Sequence, residues 1–295
     1  MQRVQAPTRV PPAPARRRCR GCRVLAAAVQ QRAAEPSRPL LALTGGGIYY
    51  FWQVGVVLAL RERVQLSGVE LSGVSAGALT TVLAACEVDL QSSVDLAYSF
   101  TLQADLYNRS GGLAGVWGPL IRRWLLELLP ADAAQRCSGR VSLFSLAVWP
   151  LPPRRLVTSQ FESKEAVVDA AMSSVHIPYF LNGRATARYR GTRCIDGSVA
   201  APRDIVDTRR GASLLDASGQ RYSSTLLVDH NADPAIASSR SFGDFVALAT
   251  REGLQRMVDQ GESYMKTELA SGRLDAWLEQ AAGSSDASSV QQASR

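Results

Sequence analysis

Gly73-Val74-Ser75-Ala76-Gly77 is a G-x-S-x-G run set between two apolar stretches of different character. Before it, Val69-Glu70-Leu71 carries branched apolar side chains two apart, as a strand does. After it, residues 78–86 (Ala-Leu-Thr-Thr-Val-Leu-Ala-Ala-Cys) are small and apolar and are expected to be helical. Ser75 is thereby placed at a sharp strand-to-helix turn, where Gly73 and Gly77 leave room for tight backbone and the hydroxyl is pushed outward. The same position is a helix N-terminus, whose free N–H groups and macrodipole favour developing negative charge. A Gly/Ser turn without chemistry has the same composition, so a nucleophile at Ser75 requires partners elsewhere in the chain.

Working outward, Pro39-Leu40-Leu41-Ala42-Leu43-Thr44 is a buried-strand candidate that stops at Gly45-Gly46-Gly47, and a helix is expected from Val54 to about Arg63. Strand, glycines, helix is an arrangement that presents backbone N–H groups to an anion. A dinucleotide or phosphate loop would need G-x-G-x-x-G or a terminal Gly-Lys-Ser/Thr, and neither is present. The other use is an oxyanion hole, with Ser75 lying 28 residues after Gly47. Further on, the short strand Arg193-Cys194-Ile195 leads into Asp196-Gly197-Ser198, which places a carboxylate at a strand end where the backbone turns.

Glycine loop, G-x-S-x-G elbow and distant Asp-Gly, in this order, resemble the patatin-like phospholipase family over about residues 39–235. Ala170-Ala171-Met172-Ser173-Ser174 with Ile177-Pro178-Tyr179-Phe180 is similar to the segment that precedes the family's aspartate. The resemblance implies a three-layer α/β/α domain with a mostly parallel central sheet and the elbow near its middle. It also implies a catalytic Ser75–Asp196 dyad, an oxyanion hole of Gly45, Gly46 and Gly47, and motif glycines Gly73, Gly77 and Gly197. The implied activity is hydrolysis of glycerolipid acyl esters, with lipid acyl transfer or a non-catalytic lipid-binding protein as alternatives. Two positions depart from the family's pattern. Ile48-Tyr49-Tyr50 replaces the basic residue and last glycine of the loop, leaving the hole to the N–H groups of Gly46 and Gly47. Ser198 stands where glycine or alanine is usual.

The chain has two histidines. His230 follows the strand candidate Ser224-Thr225-Leu226-Leu227-Val228-Asp229, and the order Ser75, Asp196, His230 is that of an α/β-hydrolase triad. That fold places its elbow after several strands, whereas here the elbow follows about the second, so a His230 triad is not expected. His176 is expected in a loop or lining a groove. Leu113, Val116, Trp117, Leu120, Ile121, Trp124, Leu125 and Leu128 recur at helical spacing, suiting either a core-facing helix or an amphipathic lid. Tyr49, Tyr50, Phe51 and Trp52 could line an acyl groove or pack on the sheet.

Residues 1–34 hold eight arginines, four prolines and no acid, and removing them leaves 25 basic against 26 acidic residues. The net charge of +7 therefore belongs to this leader, and no nucleic-acid partner is expected. The leader lacks a signal-peptide core and is basic and acid-poor like a transit peptide. Val24-Leu25-Ala26-Ala27 resembles an algal chloroplast cleavage sequence, so a chloroplast is expected, with mitochondrion or cytoplasm as alternatives. The catalytic domain is expected over 39–280 and a disordered tail over 283–295, rich in Ser, Ala and Gln. Further strands are expected at Val141–Trp149 and 156–158, and a helix from Ser241-Phe242-Gly243-Asp244 to about Thr267, with helical character again over 269–280. Five scattered cysteines make no disulfide framework, Cys19 and Cys22 are spaced C-x-x-C without a second ligand pair, and no nucleotide fingerprint is present, so no cofactor is expected. The partners expected are a glycerolipid substrate and the surface of a membrane or lipid droplet; the sequence sets no oligomeric state.

Overall fold

Period-two alternation in Leu40-Leu41-Ala42-Leu43 sends Leu41 and Leu43 to one apolar cluster and Leu40 and Ala42 to another. This strand is thus buried on both faces, as a central parallel strand must be. The computed structural model describes residues 38–198, 224–237 and 246–293, all within one folding unit. The leader read over 1–34 lies outside the described residues.

In chain order the elements are β1 (Leu40–Leu43), α1 (Tyr50–Arg61), β2 (Glu70–Val74), α2 (Ala76–Ala85), α3 (Leu90–Gln103), α4 (Trp117–Leu128), α5 (Ala133–Cys137) and β3 (Val141–Trp149). There follow β4 (Arg154–Thr158), α6 (Lys164–Ser174), β5 (Ala187–Tyr189), β6 (Thr192–Asp196), β7 (Thr225–Val228), α7 (Pro234–Ala237), α8 (Arg251–Ala270) and α9 (Asp275–Ala293). The sheet order is β5-β6-β3-β2-β1-β7, with β4 also on β3. Strands β7, β1, β2 and β3 are parallel, giving the central parallel sheet that was expected, with β2 in its middle. An antiparallel part is added to it: β4 and β6 run against β3, and β5 against β6.

The register of β3 sets the geometry of the site. Leu143 and Phe144 pair with both β2 and β4, while residues 145–147 pair with both β4 and β6. Since β4 fills one edge of β3, β2 and β6 must follow each other along the opposite edge, end to end. Val74 faces Phe144, and Asp196 faces the next residue, Ser145.

The larger cluster joins β1–β3 to α1, α2 and α6, and the smaller holds Leu40, Ala42, Val74 and Phe144. Helices α1 and α8 cross backbone to backbone: a Cβ on Gly55 would stand 1.9 Å from the Val258 carbonyl oxygen, and one on Gly261 2.0 Å from that of Trp52. Helix α4 accepts Pro119 because it falls in the first turn, where its missing N–H has no helical partner.

Two expectations at the C-terminal end are corrected. Helix α8 is capped by Thr250, which accepts from Gly253 N–H, so it begins after the proposed start at 241–244, which lies outside the described residues. Residues from Gly283 were expected to be disordered, but α9 continues to Ala293. Buried Trp277 and Ala281 anchor its first half, and no proline follows to stop it.

Candidate active site

The elbow forms because two glycines allow its parts to touch. A Cβ on Gly73 would lie 2.3 Å from the Gly77 carbonyl oxygen, and one on Gly77 2.3 Å from that of Leu43. Between them Ser75 is held at φ 55°, ψ −126°, a conformation that a non-glycine residue adopts only when its surroundings impose it. Ser75 caps α2, yet its hydroxyl makes no capping bond. It donates instead to Asp196 Oδ2 at 2.6 Å.

End-to-end placement of β2 and β6 is what brings these two groups together across 121 residues of chain. The C-terminal end of α6 ties them further. Ser75 N–H donates to Ser174 Oγ at 2.9 Å, Ser174 Oγ donates to the Phe144 carbonyl at 2.5 Å, and Asp196 N–H donates to the His176 carbonyl at 2.8 Å. Ser174 falls within the family-like segment noted above, but nothing local in the sequence marks it as the brace of the elbow. Gly197 is packed against the Phe144 carbonyl, which a Cβ would approach to 2.5 Å.

Asp196 is buried, and burial pushes its pKa above the ordinary carboxylate value; hydrogen bonds from Ser198 and Ser75 oppose that rise. Ser198 contributes twice to Oδ1, through its N–H at 2.8 Å and its hydroxyl at 2.5 Å. The departure at position 198 thus puts an extra donor on the carboxylate.

The glycine loop lies alongside. A Cβ on Gly45 would meet Ser198 Oγ at 2.9 Å and Ser75 Cβ at 3.1 Å, so the loop passes directly over both. Gly47 takes φ 56° and opens a short 3-10 turn. Among the described residues, none accepts from the N–H groups of Gly46 or Gly47. Gln53 steadies the loop: its amide donates to the Thr44 carbonyl at 2.7 Å, and its oxygen accepts from Thr80 of α2 at 2.8 Å.

Among the described residues, His230 is joined to neither Ser75 nor Asp196. Its ring stacks on Tyr49, centroids 4.4 Å apart, and sits against Gly46, while the Ser75 hydroxyl meets the carboxylate directly. His176 lies in the loop after α6, as expected, but is buried and lines no groove; its Nε2 is 3.1 Å from the Arg184 carbonyl oxygen, and burial lowers its pKa. Its backbone, not its ring, serves the site.

An apolar cavity of about 120 Å³ opens at Ser75. Tyr50 and Phe51 line it; Tyr49 and Trp52 do not, Trp52 being fully buried with its indole N–H donating to Asp233. The α4 stripe lines it through Trp117, Leu120, Ile121 and Trp124. Ile121, Trp124 and Leu125 are buried in the same core, so α4 is a packed wall of the cavity and not a surface lid.

The profile of the patatin-like phospholipases matches residues 41–207. The chain is 29% identical over 175 residues to the omega-hydroxyceramide transacylase of Homo sapiens, covering 55% of this chain and 31% of that protein. It is 30% identical over 178 residues to a 1-acylglycerol-3-phosphate O-acyltransferase of Mus musculus, covering 57% and 41%. It is also 30% identical over 166 residues to patatin-like phospholipase domain-containing protein 2 of Homo sapiens, covering 52% and 30%. The matched stretch spans under half the length of each of these relatives. The family match takes in more than half of this chain, with Gly45, Gly46, Gly47, Ser75 and Asp196 all inside it, and the chain belongs to the patatin-like phospholipase family.

Proposed function

We propose that the protein is a serine hydrolase of glycerolipid carboxylic esters, working through Ser75 and Asp196 without a histidine. The observation that carries this reading is the 2.6 Å bond from the Ser75 hydroxyl to a buried carboxylate at the end of an apolar cavity. Ser75 Oγ attacks the ester carbonyl as its proton passes to Asp196 Oδ2. The carbonyl oxygen becomes an oxyanion beside the N–H groups of Gly46 and Gly47, at the N-terminus of α2. Collapse of this intermediate expels the alcohol, which takes the proton from Asp196. Water then attacks the acyl-Ser75 ester, giving its proton to the same carboxylate, and the fatty acid leaves as Ser75 is restored. A carboxylate is a weak base for a hydroxyl, and desolvation of Asp196 strengthens it.

Transfer to a lipid alcohol instead of water is a second reading. It is supported by relatives whose names are transacylase and acyltransferase. The surface of a membrane or lipid droplet would deliver the substrate, and the basic leader is proposed as a chloroplast address. Fatty-acid release from mixed lipid micelles tests the main reading. Ser75→Ala and Asp196→Asn are each expected to lose on the order of a thousandfold or more in rate, and His230→Ala to retain activity. Added lipid alcohol that diverts the acyl group from free acid to new ester would favour transfer. Undiminished release by Ser75→Ala would refute the nucleophile.

A further inference from the structure

The sheet does not end at Ser75. Strand β3 runs five residues past Phe144, the partner of Val74, which is roughly 16 Å at the usual strand rise. With β4 and β6 paired to that half, it forms an antiparallel extension beyond the end of β2 where Ser75 sits. The β3–β4 connection, Pro150-Leu151-Pro152-Pro153, closes its tip. Here the register of β3 shifts between Ala147, which faces buried Cys194, and Trp149, which faces exposed Arg193. The shift turns the indole outward. Trp149 is 57% and Leu151 66% exposed, a large apolar pair in water on a proline-stiffened tip.

Arginines share these two hairpins, with Arg193 directly opposite Trp149 and Arg154 opposite Ala147. Arg154, Arg155, Arg188 and Arg193 are exposed, and Arg188 lies directly opposite Arg193 in the β5–β6 ladder. Like charges facing each other across a ladder are destabilising, and a bound anion would relieve them. Residues 140–161 and 182–195 contain no aspartate or glutamate, and among the described residues Arg154, Arg188 and Arg193 form no ion pair.

We propose that this extension docks the protein on an anionic lipid bilayer. Trp149 and Leu151 enter the boundary between headgroups and acyl chains, while Arg154, Arg188 and Arg193 meet the acidic headgroups. An exposed indole and leucine at the tip suit a bilayer interface better than a nucleic acid, whose backbone would be met by arginines alone. Because both hairpins project from the Ser75 end of the sheet, docking would turn the active site toward the lipid. The inference rests on the lipid-ester reading for its purpose, and its test is independent of turnover.

In that test, the full chain carrying Ser75→Ala is mixed with vesicles of phosphatidylcholine, with or without phosphatidylserine, whose acyl chains are brominated. Tryptophan quenching is expected on the anionic vesicles and is expected to disappear in Trp149→Phe, which separates this site from any contact by the basic leader. Partitioning is expected to weaken about fivefold for each of Arg154→Gln and Arg193→Gln, and less at high salt. With Ser75 intact, hydrolysis of a short soluble ester is expected to be unchanged by these hairpin substitutions. Absence of that hydrolysis in the wild type would count against the lipid-ester reading alone. Quenching that survives Trp149→Phe, partitioning indifferent to both arginine changes, or preference for an RNA oligonucleotide over vesicles overturns the docking proposal.

Discussion

Replacing Ser198 by alanine removes one donor from Asp196 and leaves everything else in place, including the Cβ that packs beside Gly45. The hydroxyl donates to Oδ1 at 2.5 Å, opposite the oxygen that accepts from Ser75. A hydrogen bond to a charged group contributes about 1.5–3 kcal/mol, and about 1.4 kcal/mol corresponds to one pKa unit. The Ser198 N–H still donates to the same oxygen at 2.8 Å, so the lower end of the range applies. The Asp196 pKa, already raised by burial, is expected to climb by about one further unit. Since the base must be ionised to act, activity is lost as pH falls through that pKa, and the acid limb of the profile moves up by the same amount. The assay is kcat/KM against pH for a soluble short-chain ester. A limb that stays where it is, or moves down, would refute the assignment of Asp196 as the titrating base tuned by Ser198.

Three other outcomes follow from the same geometry. Gly77→Ala would drive a Cβ to 2.3 Å from the Leu43 carbonyl oxygen, at the contact that lets α2 meet β1. A loss of about 1–3 kcal/mol or more is expected in urea unfolding, and wild-type stability would contradict the close packing. Ala97 of α3 lines the cavity, so Ala97→Phe should cut turnover of long-chain esters about tenfold or more and spare short ones; an equal loss on both would place the acyl chain elsewhere. Asp196→Asn should be inactive yet more stable than wild type near neutral pH. A carboxyl whose folded pKa is raised holds its proton more tightly when folded, so its ionisation destabilises the fold as pH rises through the folded value. The gain, about 1.4 kcal/mol per unit of elevation, should vanish below the unfolded value near ~3.9, and a gain persisting there would point to another cause.

The site was legible where its chemistry needs a particular residue type at a particular place. Only glycine fits at positions 73 and 77, and serine at 75 needs that turn, so the motif carries its own geometry. Asp196 was legible through its following glycine, whose absent Cβ admits the Phe144 carbonyl. The antiparallel extension was not legible. Its decisive feature is that β2 and β6 share one edge of β3, a pairing between strands far apart in sequence that no local pattern encodes. Ser174 was hidden for a related reason, since its two bonds reach residues 99 and 30 positions away. The aromatic run after the glycines divided by helical geometry: Tyr50 and Phe51 face the cavity, whereas Trp52 turns to Asp233 and Tyr49 to His230.

The two departures from the family's pattern are better understood together than apart. In the loop, Tyr49 has no glycine's freedom, and its ring lies flat on His230, which in turn fills the space beneath Gly46. A stacked pair of buried rings holds the loop from below, while Gln53 holds its start at Thr44. The loop N–H groups are therefore positioned by packing, so that in the proposed mechanism they need not be ordered at the moment charge develops on the substrate. Across the site, Ser198 does for the proposed base what the rings do for the loop, holding Asp196 Oδ1 while Oδ2 accepts from Ser75. A dyad has no imidazole to orient its nucleophile. In the proposed dyad that work falls to neighbours on both sides, and His230, the residue that most suggested a triad, packs with Tyr49 beneath the glycine loop.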